Sequence, residues 1–88
     1  MDVFGFLESR DFTRKWFKIG LDDDDYFALQ LRLMKNPEEG RVIPGTKGYR
    51  KLRIAMGSRG KRGGARVIYV IYRESQEILF EDVYTKNE

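Results

Sequence analysis

Residues 49–56, "YRKLRIAM", place an apolar side chain at every second position. Leu52, Ile54 and Met56 fall on one side of an extended chain, and Tyr49, Lys51, Arg53 and Ala55 on the other. The pattern predicts a strand with one face in a core and the other face basic. Downstream, "ARVIYVIYRE" (65–74) is almost continuously apolar, as in a central strand covered on much of both faces, and "EILFEDVYTK" (77–86) supplies a last strand.

Working back from residue 49, "NPEEG" (36–40) and "IPGTKG" (43–48) are rich in turn-forming residues. Before them, "LDDDDYFALQLRLMKNP" (21–37) has the marks of a helix. Asp22 is the N-cap candidate, acids fill the first turn, and Asn36-Pro37 ends it. The Asp22–Asp25 run suits that helix start better than a metal site, because consecutive helical residues point about 100° apart. The helix's apolar stripe is wide, with Tyr26, Leu29 and Leu33 on one edge and Phe27, Leu31 and Met34 on the other, so broad packing against the sheet is expected. In "SRDFTRKWFKIG" (9–20), Ser9 is placed to cap a shorter helix whose Phe12, Trp16 and Ile19 share a face, with Gly20 as terminator. "DVFGFLES" (2–9) reads as a first strand ending near Glu8. The expected architecture is a single α+β domain over residues 1–88, ordered β-α-α-β-β-β, with two helices packed on an antiparallel-rich sheet.

The 88-residue chain is 41% hydrophobic and 14% aromatic, which suffices for one modest core. It has no cysteine, which rules out disulfides and thiolate zinc sites and fits a reducing, cytoplasmic location. No apolar run reaches the roughly 20 residues of a membrane span, so no membrane partner is expected. Its formal charge of +3 conceals a strong asymmetry. From Arg41 to Arg66 there are nine basic residues and no acid, while the rest of the chain carries eight basic and fourteen acidic residues. Such a concentrated cationic segment is the footprint of a phosphate-rich partner, with a merely solvated basic face as the alternative.

Histidine is absent, which removes the usual acid–base pair of many ribonucleases and the commonest metal ligand. The loop "GSRGKRGGAR" (57–66) has neither Walker nor G-x-G-x-x-G spacing. Lysine, arginine and tyrosine remain. Lys51 and Arg53 leave the same strand face about 7 Å apart, suited to phosphate oxygens. Arg66 opens the next strand, where a hairpin brings it beside them, and Tyr84 and Lys86 on the last strand reach the same region. A cationic cluster lowers the pKa of a lysine within it, which makes a neutral lysine available as a general base. Neither a cofactor nor a metal is expected.

The element order, together with "NPEEGRVIPGTKGYRKLRIA", "GKRGGARVIYVIY" and the terminal "YTKNE", resembles the RelE/ParE toxin superfamily. Within it the sequence is most similar to HigB-like and RelE-like messenger RNA interferases of type II toxin–antitoxin pairs. The resemblance implies a ribosome-dependent endoribonuclease in which the nucleotide's own 2′-hydroxyl attacks the adjacent phosphate. It also implies a cognate antitoxin, expected to be a helix-turn-helix protein. Lys51 matches the candidate general base, Arg53 and Arg66 the phosphorane-stabilising pair, and Lys86 the basic C-terminal motif that aids charge stabilisation or leaving-group protonation. Asn87 stands where many RelE sequences have arginine. Relatives commonly continue into a C-terminal helix, whereas this chain stops at Glu88. Around the catalytic set, Lys47, Tyr49, Arg50, Arg59, Lys61, Arg62 and Tyr84 are expected to bind RNA or ribosome, with the glycines of 57–66 letting the backbone approach. A ParE-like gyrase inhibitor and a non-catalytic basic RNA-binding module are the alternatives.

Overall fold

Ser9 ends the first strand and begins the first helix, and both roles follow from its hydroxyl. In the computed structural model, which describes residues 4–56 and 64–85, β1 (Gly5–Glu8) runs directly into α1 (Arg10–Lys18). The Ser9 Oγ accepts from the Phe12 N–H at 3.0 Å and donates to the Glu81 carbonyl at 2.6 Å, so the cap also ties α1 to the last strand. Gly20, at φ +100°, provides the left-handed turn between the helices. Asp22 caps α2 (Asp23–Lys35) through a complete capping box, with Asp22 accepting from the Asp25 N–H and Asp25 from the Asp22 N–H. The aspartate run is thus a helix start, as expected. The Trp16 indole N–H donates to the Asp22 carbonyl at 2.9 Å and fastens one helix to the next.

Five strands form one mixed sheet in the order β1-β5-β4-β3-β2. The expected strands appear as β3 (Arg50–Ile54), β4 (Ala65–Tyr72) and β5 (Glu77–Thr85), with β4 in the centre. One strand was not anticipated: β2 (Arg41–Val42) is two residues long, too short to show a period, and lies between the two turn segments. It pairs antiparallel with β3, as β3 does with β4 and β4 with β5, whereas β1 joins the far edge parallel to β5.

Both helices contribute to a core on one sheet face. Phe12, Trp16, Leu29 and Leu33 meet Leu52, Ile54, Met56, Val67, Tyr69, Ile78, Phe80 and Val83 there. Phe80 stacks on Phe12 at 5.1 Å between ring centroids and on Phe6 at 5.7 Å. Burial of this kind contributes about 1.5–3 kcal/mol for each large apolar side chain. The wide stripe of α2 is only half used. Leu29 and Leu33 are buried, but Phe27 and Leu31 remain 61% and 45% exposed, so the expectation of broad packing is corrected. The reason is geometric: a helix on a sheet can press only one edge of its stripe into the layer, and Leu29 and Leu33 already occupy it. No helix among the described residues is long and apolar enough to cross a membrane.

Candidate nucleic-acid interface

The sheet face opposite the helices carries the cations, because alternation that sends Leu52 and Ile54 inward sends Lys51 and Arg53 outward. Strand register then builds two rows. In one, Arg41 on β2 lies opposite Lys51, which lies opposite Ile68. In the other, Arg53 lies opposite Arg66, and Arg66 opposite Tyr84. Directly opposed residues have Cβ atoms roughly 4.5–5.5 Å apart, and the two rows are separated by about 7 Å along β3. Lys51, Arg53, Arg66 and Tyr84 are therefore brought together on one face. Lys86, also assigned to this set, lies outside the described residues.

An open cleft of about 280 Å³ lies where β2 stops and the edge of β3 is left uncovered. It is lined by Arg32, Glu39, Arg41, Lys51, Arg53 and Arg66, with Leu52 at its base. Its lining counts five cations against one carboxylate, a formal balance that favours anions. Arg32 reaches it from α2, forking onto Glu39 with contacts of 2.6 to 3.0 Å and donating to the Arg53 carbonyl at 3.3 Å. The fork raises the Arg32 pKa and holds the Glu39 carboxyl below the usual range, mainly through the hydrogen bond between them. Glu39 thus neutralises Arg32 at the wall of the cleft.

Sequence reasoning counted Arg41 within the basic segment without assigning it to the site, and missed Arg32 and Glu39. The two-residue β2 gave Arg41 no periodic signal, and Arg32 reads as the polar side of an amphipathic helix. The available clue was the density of opposite charges at 32, 38, 39 and 41, on either side of a turn.

The surrounding residues fall into three groups. Tyr49 does share the face of Lys51 and Arg53; its hydroxyl pKa is raised by partial burial, then by Glu81 and Tyr72. Tyr72 and Leu7 are 44% and 43% exposed, and with the half-buried Leu79 they continue this face away from the cations as an apolar and aromatic surface. Lys47 sits exposed in the turn before β3. Arg50 does not belong with these residues. It has the parity of Leu52, and its guanidinium donates to the Glu38 and Gly40 carbonyls at 3.1 and 2.8 Å and faces Glu38, so it braces the turn before β2. Arg59, Lys61 and Arg62 lie outside the described residues. Gly64 ends that loop at φ +65°, and a side chain there would run into the Ile54 carbonyl, so this glycine serves close backbone approach within the hairpin. Among the described residues no group of three or more His, Asp or Glu is placed to hold a metal ion.

The layout of two helices on one face of a five-stranded mixed sheet, with the other face open, is that of the RelE-like α+β fold. A double-substituted Escherichia coli toxin RelE in the free state superposes with a TM-score of 0.70 at 14% identity, over 96% of this chain and 84% of that one. The toxin–antitoxin complex RelBE of the same organism gives a TM-score of 0.65 at 14% identity, covering 98% and 100% of the two chains. A conserved hypothetical protein from Helicobacter pylori gives 0.61 at 14% identity, with 97% of each chain covered. No protein-family model matches the sequence.

Proposed function

We propose that this protein is the toxin of a bacterial type II toxin–antitoxin pair and cleaves messenger RNA on the ribosome in the cytoplasm. The observation that carries this reading is the placement of Lys51, Arg53 and Arg66 on one sheet face of a RelE-like fold, around a cleft lined mainly by cations. Lys51 takes the proton of the 2′-hydroxyl, whose oxygen attacks the adjacent phosphorus. Arg53 and Arg66, opposite each other across β3 and β4, stabilise the extra negative charge of the phosphorane. The bond from phosphorus to the 5′-oxygen then breaks, leaving a 2′,3′-cyclic phosphate and a 5′-hydroxyl. Lys86 retains the assignment of aiding charge stabilisation or protonating that leaving oxygen. Tyr84, beside Arg66, and Tyr49 offer stacking surfaces to bases. The partner is a cognate antitoxin, expected to be a helix-turn-helix protein with acidic residues that cover the basic face.

The decisive experiment places messenger RNA in the ribosomal A site. Lys51→Ala and Arg53→Ala should each lower the cleavage rate by at least 100-fold while changing ribosome affinity little, and 2′-deoxy substitution at the scissile nucleotide should block the cut. Cleavage of the deoxy substrate, or loss of affinity in step with activity, would make the face a binding surface alone. Arrest of growth through an SOS response with translation intact would favour gyrase inhibition.

A further inference from the structure

We propose that Arg41 holds a second phosphate, the one on the 5′ side of the nucleotide whose 2′-hydroxyl attacks; this rests on the reading of Lys51 and Arg53 given above. The assignment follows from order across the sheet. Arg66 on β4 and Arg53 on β3 flank the scissile phosphate, Lys51 sits at the attacking 2′-hydroxyl, and Arg41 lies beyond Lys51, on the side away from β4. An RNA strand passing from its scissile phosphate over Lys51 towards the sheet edge meets Arg41 at its preceding phosphodiester.

Arg41 is exposed, yet the backbone that carries it is held from several directions. The Tyr69 hydroxyl accepts from the Gly40 N–H at 2.9 Å and donates to the Pro37 carbonyl at 2.7 Å. Arg50 holds the Gly40 carbonyl, and Arg32 holds the neighbouring Glu39. On the other side the Ile43 N–H donates to the Tyr49 carbonyl at 2.8 Å. The fit is close enough that a Cβ on Gly40 would stand 2.9 Å from the Tyr69 ring. An outward-facing arginine on a fixed two-residue strand is preorganised, so it loses less freedom on meeting an anion than an arginine in a loop.

The test combines Arg41→Gln with a neutral methylphosphonate at the 5′ phosphate of the scissile nucleotide. On A-site messenger RNA, R41Q should raise KM roughly tenfold with kcat nearly unchanged, as expected for loss of one charge-assisted contact distant from the breaking bond. The methylphosphonate should weaken the unsubstituted protein to the same extent, and R41Q should add less than about twofold to it, because both changes remove one contact. Effects that multiply, or an unchanged KM for R41Q, overturn the proposal. Should the unsubstituted protein not cut at all, the cleavage reading fails by itself. The subsite is then decided by the same four-way comparison of affinity for a labelled oligonucleotide with deoxyribose at the scissile position. Non-additive losses, with a salt slope about 0.7 shallower for R41Q, sustain it, and additive losses or no binding overturn it.

Discussion

Replacing Tyr69 by phenylalanine removes a single oxygen from the centre of the turn that carries β2. The ring, fully buried against Phe80, stays in place, so the change isolates the hydroxyl. Two partners are left behind. The Gly40 N–H belongs to a buried residue, and its hydrogen bond to the Tyr69 hydroxyl is itself buried. An unsatisfied buried donor costs about 1–3 kcal/mol. The Pro37 carbonyl is only partly buried and can turn to solvent, which limits its share. The expected loss is about 2 kcal/mol, and for a domain of this size it lowers Tm by about 8–16 °C. Trp16 is the only tryptophan and is 2% exposed, so its fluorescence in a urea titration reports the transition directly. The midpoint should fall with an unchanged slope. Tyr72→Phe, at a residue 44% exposed, serves as control and should stay within about 0.5 kcal/mol of the parent. A Tyr69→Phe midpoint as high as the control's would refute the idea that this hydroxyl pins the turn.

Gly64→Ala should be strongly destabilising, by about 3 kcal/mol or more, because left-handed strain adds to the collision with the Ile54 carbonyl; chemical denaturation measures it, and a neutral result would mean that the hairpin backbone relaxes freely. Leu33→Ala should cost about 2–5 kcal/mol and Phe27→Ala less than about 1 kcal/mol, and equal costs would mean that the exposed edge of α2 is covered in solution. Tyr26 and Tyr69 both have pKa values raised, chiefly by burial, above the ordinary value of 10.0. The folded state therefore keeps these protons after the unfolded chain releases them, so stability is intact below pH 10 and falls as pH rises above it. Tyr26→Phe should flatten that alkaline decline, and an unchanged decline would remove Tyr26 from its cause.

The elements most legible in the sequence were those with a repeating pattern or a specific cap. Alternation in 49–56 located β3 and its two faces, and Ser9 and Asp22 each fixed a helix start through a side-chain acceptor that the structure shows in use. The proximity of Lys51, Arg53 and Arg66 followed from spacing plus a hairpin. What escaped depended on contacts between segments far apart in the chain. Arg50 reads as one more cation of a basic run, and only its parity with Leu52 and the carbonyls it meets assign it to the turn. Arg32 joins the cleft because α2 crosses the open edge of β3, which no local pattern encodes. Likewise the outer edge of α2 looked like core because periodicity measures amphipathicity and not the number of layers available to cover it.

The parallel pairing of β1 with β5 also sets the order in which the molecule can assemble. Strands made first and last in the described chain lie side by side, with Gly5 opposite Glu77, and β5 is also the partner of β4. Until β5 has left the ribosome, β1 has no neighbour and β4, the most apolar strand, has a bare edge. Earlier segments can form helices and the β3–β4 hairpin, but the sheet closes only by joining residues more than seventy positions apart, a slow step for a small domain. Removing β5 would therefore abolish the fold instead of trimming it. A nascent chain stalled short of residue 77 would expose an unpaired apolar strand, and aggregation is its expected fate.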